Sequence, residues 1–130
     1  MQTIIRTLLV CAGLSMASCV APQMSIQQIR AQESIPTCDT DAECEIMWNA
    51  AQVFVVQNSY FKMQTVSDAI IQTYGPTTAA GFAFTVMKEP TGNGQHRVLV
   101  EAYCGNIFGC GENPWSVVLR FNDYVNPDQG

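Results

Sequence analysis

Four cysteines carry most of the chemistry this sequence offers. Cys38 and Cys44 are separated by five residues, and so are Cys104 and Cys110. An even set at matched spacing points to two disulfides, and of the three connectivities the favoured one closes each short loop on itself. Each bridge would stabilise by ~2 kcal/mol in the chain-entropy account. Four thiolates could hold zinc instead, but zinc cysteines usually stand closer, as C-x₂₋₄-C. His96 is the single histidine. A Cys–His nucleophilic pair needs a free thiol, and this pairing leaves none; a histidine on a strand just after a turn reads as a surface residue. Asp39, Asp41 and Glu43 alternate as calcium ligands can, yet the glycine and distal glutamate of a helix–loop–helix calcium loop are missing. Arg97 and Glu101 share a strand face, where they either pair or meet water, and Asp68 marks a solvated position or a bulge inside an extended run. No G-x-S-x-G, H-E-x-x-H, C-x-x-C or phosphate-binding glycine loop occurs. The expectation is a non-enzymatic chain with no catalytic set, no metal and no cofactor.

The other two cysteines lie near the amino terminus. A short polar start carries one positive charge, Arg6, and an apolar run from Leu8 to Ala17 contains Cys11. At roughly ten residues the run is too short to span ~30 Å of hydrocarbon, and its order is that of a secretory signal. It ends in Met16-Ala17-Ser18-Cys19. This ending resembles the lipobox of bacterial lipoproteins: Ala17 and Ser18 fit the pattern, while Met16 stands where leucine is usual. The resemblance covers the signal and Cys19 alone, and nothing in 38–127 resembles a known family. It implies that residues 1–18 are removed, that the Cys19 thiol receives a diacylglycerol, and that the new amino terminus is acylated with palmitate. Three acyl chains at ~0.8 kcal/mol per buried methylene exceed the two-anchor requirement for stable membrane attachment. Val20 in place of an aspartate implies, by the family's sorting pattern, the outer membrane with the domain in the periplasm. An ordinary secretory signal cut near Ala17, Ser18 or Ala21 is the competing reading. Either way the compartment is oxidising, which agrees with paired cysteines.

Composition narrows the class further. The chain has 130 residues, 48% hydrophobic and 13% charged, about half the usual charged share. Six Lys and Arg stand against eleven Asp and Glu, a net charge of −5. Loss of Arg6 with the signal leaves five against eleven, or −6. That balance excludes a basic nucleic-acid binder, a disordered acidic tail and a multi-domain enzyme. Residues 19–37 are rich in Gln and Ser. They read as the lipidated cysteine and a flexible tether of up to ~60 Å, in preference to a short helix over 25–31.

The folded domain is expected over 38–127. Thr40-Asp41-Ala42-Glu43 is a capping box, and Asp41, Glu43 and Glu45 complement the positive end of the helix that follows. Met47, Ala51, Phe54, Asn58 and Phe61 form one stripe, widened by Trp48 and Val55, so the helix is expected to continue through Phe61. Residues 65–74 read as a strand ending at Gly75-Pro76. Residues 81–89 and 95–104 alternate as strands around a Pro90-to-Gly94 turn. Asn113-Pro114 starts a second helix, with Trp115, Val118, Leu119, Phe121 and Val125 at helical spacing. The expected fold is a two-layer α+β domain of order α-β-β-β-α, a three-stranded antiparallel meander with two helices on one face. Double-stranded-RNA-binding domains share that order, but they need a basic surface, so nucleic acid is excluded as a partner.

Asn106-Ile107-Phe108-Gly109 lies inside the second cysteine loop. Ile107 and Phe108 either fold back onto the core or present a rigid contact to a partner. The functional expectation is an envelope lipoprotein whose domain binds another protein or assists assembly in the outer membrane. The alternative is a binder of a small glycan or lipid on an open sheet face lined by Ala83, Thr85, Met87, Leu99 and Tyr103.

Overall fold

Three helices begin at side chains that satisfy a free backbone N–H. Ser25 accepts from the Gln28 N–H at 3.1 Å, Thr40 from Glu43 at 3.2 Å, and Asn113 from Trp115 at 2.8 Å. The helices that follow are α1 (Ile26–Glu33), α2 (Asp41–Asn58) and α3 (Pro114–Val125). The computed structural model describes residues 22–126; the expected signal, Cys19 and the final residue of the expected domain lie outside them. Among the described residues no helix is long and apolar enough to cross a membrane.

The strands are β1 (Thr37–Cys38), β2 (Met63–Val66), β3 (Ile70–Thr73), β4 (Phe82–Gly92) and β5 (Gln95–Cys104). They form one antiparallel sheet of order β1-β5-β4-β3-β2. The α+β class therefore holds, while the expected three-stranded meander is corrected to five strands. One reason is the run over 65–74, which folds back on itself. The Ser67 hydroxyl accepts from the Ala69 and Ile70 N–H groups, and the Ser67 N–H donates to Ile70 O, closing a tight hairpin. Asp68 is an exposed turn residue there, not a strand bulge. The other reason is β1, whose two residues lie against Arg97 and His96 of β5. Between β4 and β5 the turn narrows to Asn93-Gly94, with φ of 54° and 76°. Both residues are left-handed, as a two-residue type I′ turn demands.

α2 ends at Asn58, short of the expected Phe61. The Asn58 amide donates to Phe54 O, and Ser59 accepts from the Phe61 N–H, which turns the chain toward β2. The apolar stripe is otherwise as expected: Met47, Trp48, Ala51, Phe54 and Val55 are all buried. Phe54 meets Phe84 of β4 and Phe121 of α3 edge-on, with centroids 6.1 and 5.3 Å apart. These rings, with Ile71, Val86, Val98 and Val117, form the centre of the core. α3 buries Val117 and Asn122 in addition to the expected Val118, Phe121 and Val125.

The flexible tether expected over 19–37 is the third correction. Ile26–Glu33 within it forms α1 and docks on α3, so the competing short helix is the conformation observed. Ala31 is 2% exposed. The Asn122 amide, itself buried, donates to Ala31 O at 2.9 Å and Ser34 Oγ at 3.1 Å. Gln27 donates to Ser116 Oγ at 3.1 Å. Helix ends leave carbonyls without intrahelical partners, and Asn122 supplies one for the end of α1. The helix is held by small-residue contact and polar pairing rather than by an apolar stripe.

Candidate functional site

Strand β5 ends at Cys104, which is bridged to Cys110 with Cα atoms 6.0 Å apart. The loop between them is fixed by further contacts. A Cβ on Gly105 would lie 2.1 Å from Thr77 O, so the loop base rests directly on the backbone of the 74–81 segment. Asn106 donates through its amide to Thr78 O at 2.7 Å. Its side-chain oxygen accepts from the Phe108 N–H at 2.8 Å, and its backbone oxygen accepts from Gly109 at 3.0 Å. Ile107 and Phe108 crown this loop, 89% and 92% exposed. They do not fold back on the core. Each such side chain gains about 1.5–3 kcal/mol when fully buried, and the domain's own fold does not realise that gain here.

The first bridge joins Cys38 of β1 to Cys44 of α2, with Cα atoms 5.1 Å apart. The acidic residues around it are engaged at the helix start. Glu43 accepts from the Asp39 N–H at 2.8 Å, one residue before the position a capping box usually serves. Asp39 accepts from the Gln95 amide at 2.8 Å, tying β1 to the start of β5. His96 is the register partner of Cys38, and its Nδ1 lies 3.8 Å from Cys44 Sγ. The ligand atoms of Cys38, Cys44 and His96 all lie within 4.8 Å of one another. Cys44 and His96 line a cleft of roughly 460 Å³ with Asp41, Glu45, Asp68 and Lys88. Trp48 forms part of its wall, donating from its indole N–H to Ser67 O at 3.0 Å, with the Lys88 ammonium 5.2 Å from the ring centroid.

The residues expected to line an open sheet face differ in access. Ala83 is 2% exposed, Thr85, Met87 and Leu99 are half-buried, and Tyr103 is exposed. Met87 and Leu99 reach a groove of roughly 260 Å³ shared with Ile35, Trp115 and Val118. The Tyr103 hydroxyl donates to the Glu101 carboxylate. That hydrogen bond, helped by desolvation and by the carboxylate's charge, pushes the phenol up to about 12. Arg97 pairs across the strands with Glu89 at 2.8 Å, not with Glu101.

Two residues of consequence escaped sequence reasoning. Asn106 orients the exposed tip, and the only sequence signal was its place in a glycine-flanked loop. Asn122 sits among apolar residues in the α3 repeat, where a polar residue on the buried face was the available clue. No family model matches the chain, and neither a characterised protein nor a solved structure matches it.

Proposed function

We propose that this chain is an envelope lipoprotein, anchored to the outer membrane through Cys19, whose periplasmic domain binds another envelope protein and performs no catalysis. The observation that carries the reading is the near-complete exposure of Ile107 and Phe108 on a stapled loop. An apolar pair held rigidly in water forfeits burial energy in the free protein. A partner recovers it without the entropic cost of ordering a flexible loop. The resemblance of Met16-Ala17-Ser18-Cys19 to a lipobox supports the anchor, and two bridged cysteine pairs suit an oxidising compartment. With α1 docked, at most residues 19–25 separate Cys19 from that helix, a reach of no more than ~25 Å. The partner surface is therefore expected close to the bilayer.

A second reading is favoured by the groove beside Met87 and Leu99. That groove lies against Trp115 and Val118 of α3 rather than on a helix-free sheet face, and its apolar walls would take a small glycan or lipid. The two are separated by placing a photoreactive phenylalanine analogue at 108 and irradiating native membranes. A discrete protein adduct is expected from 108 and not from the same analogue at 124, another exposed aromatic position. Equal labelling from both positions, together with thermal stabilisation by an envelope glycan or lipid, would favour the second reading. Cys19→Ala followed by fractionation tests the anchor: the variant should leave the membrane fraction, and wild-type protein found soluble in the periplasm would refute it.

A further inference from the structure

The two cysteine loops have equal spacing but unequal surroundings. Cys104 and Cys110 are accompanied by Asn106 and glycines. Cys38 and Cys44 are accompanied by the chain's single histidine. Three separate constraints bring that histidine in. The two-residue strand β1 sets Cys38 opposite His96, with the Val98 N–H donating to Pro36 O at 2.9 Å to hold the register. The Thr40 cap fixes the first turn of α2, which carries Cys44. The Gln95 amide on Asp39 locks the two chain segments together from the other side.

We infer that reduction of the Cys38–Cys44 bridge turns this corner into a binding site for a thiophilic divalent metal ion, with Cys38, Cys44 and His96 as its ligands. Bond lengths of ~2.3 Å to sulfur and ~2.0 Å to nitrogen put tetrahedral zinc ligands ~3.5 Å apart for an S–N pair and ~3.8 Å for an S–S pair. The His96 nitrogen already stands 3.8 Å from Cys44 Sγ. The two sulfurs must part, which Cα atoms 5.1 Å apart allow by side-chain rotation, while all three ligand atoms already lie within 4.8 Å of one another. Thiolate and imidazole donors together select zinc over calcium or magnesium. Access comes through the cleft, which reaches both Cys44 and His96. The cleft is open to solvent, so a water molecule would complete the fourth position; Asp41, Glu45 and Asp68 line the same cleft. The Lys88 ammonium on the same wall lies over the Trp48 ring.

The chemistry balances with one co-reactant, a dithiol reductant. One of its sulfurs attacks the bridge and forms a mixed disulfide, and its second sulfur displaces the protein. The reductant leaves as a disulfide and the protein as two thiols. Binding of Zn²⁺ then releases both thiol protons, and the metal keeps its oxidation state. The same couple run in reverse, with the disulfide form of the reductant accepting both electrons by thiol–disulfide exchange and leaving as the dithiol, re-forms the bridge and expels the ion. The site is thus open to metal only under reducing conditions, and it stands independently of the lipid anchor and of the exposed tip.

The test titrates Zn²⁺ into processed protein as isolated from the expressing cell, oxidised or reduced by a phosphine removed beforehand, against a chromophoric chelator. The reduced protein should take up one equivalent at least 100-fold more tightly than the oxidised protein. His96→Ala and His96→Asn should each weaken uptake at least tenfold, and a Cys38→Ser, Cys44→Ser double variant should abolish it. A Cys104→Ser, Cys110→Ser double variant should retain it. Equal binding by oxidised and reduced protein, or full binding by both His96 variants, would overturn the proposal. So would dependence on Cys104 and Cys110, or a reduced chain that loses its circular dichroism and neither binds Zn²⁺ nor refolds with it.

Discussion

The docking of α1 rests on one buried side chain, and its replacement is quantitatively informative. Asn122 is 2% exposed and donates to Ala31 O and Ser34 Oγ at 2.9 and 3.1 Å. Asn122→Asp keeps the shape and removes both donors. Two hydrogen bonds at ~1 kcal/mol each, together with an oxygen left facing Ala31 O without water, place the cost at ~2–4 kcal/mol. Both lost partners belong to α1 and its cap, so the penalty falls on the docking of that helix. At ~1.4 kcal/mol per decade, its closing equilibrium should weaken by about 30-fold to 1,000-fold. Hydrogen exchange reads this directly: amides of Ile26–Glu33 should exchange at least ~30-fold faster, while those of α2 keep their protection. The effect also has a sign in pH. Burial disfavours the ionised aspartate and raises its pKa in the folded state, so the native state binds the extra proton. Stability of the variant relative to wild type should therefore fall as pH rises through the ordinary carboxyl value of ~3.9. Unchanged exchange in α1, or a variant relatively more stable at pH 7 than at pH 4, would refute the reasoning.

Three further outcomes are expected. The Ile107→Ser, Phe108→Ser double variant should change unfolding free energy by less than ~0.5 kcal/mol in urea titration, because both side chains are exposed in the folded domain; a loss above ~1 kcal/mol would place them on the core. Gly105→Ala should destabilise by ~1–3 kcal/mol, since its Cβ would lie 2.1 Å from a backbone oxygen that must move; a thermal midpoint equal to wild type contradicts that contact. In a tyrosinate absorbance titration, Tyr103 should ionise near pH 12 rather than its ordinary 10.0. The folded state keeps that phenol protonated, so its stabilisation is full below pH 10.0 and is lost as pH rises through about 12. Glu101→Ala should return the value toward 10.0, and an unchanged titration would remove Glu101 as the cause.

Local chemistry alone was sufficient for several features. Thr40 with Glu43 and Asn113 with Pro114 announce two helix starts, because caps are satisfied within a few residues of chain. The alternation over 95–104 states a strand whose observed bounds agree, because a period of two survives wherever one face is buried. The disulfides follow from short loops that can close only on themselves without long-range help. Other features depend on distant partners. α1 is weakly apolar, and its docking depends on distant partners, Ser116 against Gln27 and Asn122, 91 residues from Ala31, against its final turn. β1 is two residues long, below any pattern, and exists because β5 offers an edge. The hairpin at Ser67 hides in a run of good strand formers, where one hydroxyl reverses the chain.

The same division runs through the chemistry. The sequence alone establishes which residues carry it: four paired cysteines, one histidine and an apolar pair in a glycine-flanked loop, since composition and short spacing determine those. Along the chain the cysteines can be matched as metal ligands only with one another, because His96 stands 52 residues from Cys44 and no local pattern joins them. Tertiary structure decided that the histidine lies against one bridge and not the other. It also decided that Ile107 and Phe108 point into solvent. Both outcomes turn on where two loops come to rest, and that is set by close contacts to segments far away in the chain: Gly105 on Thr77, and Cys38 beside His96.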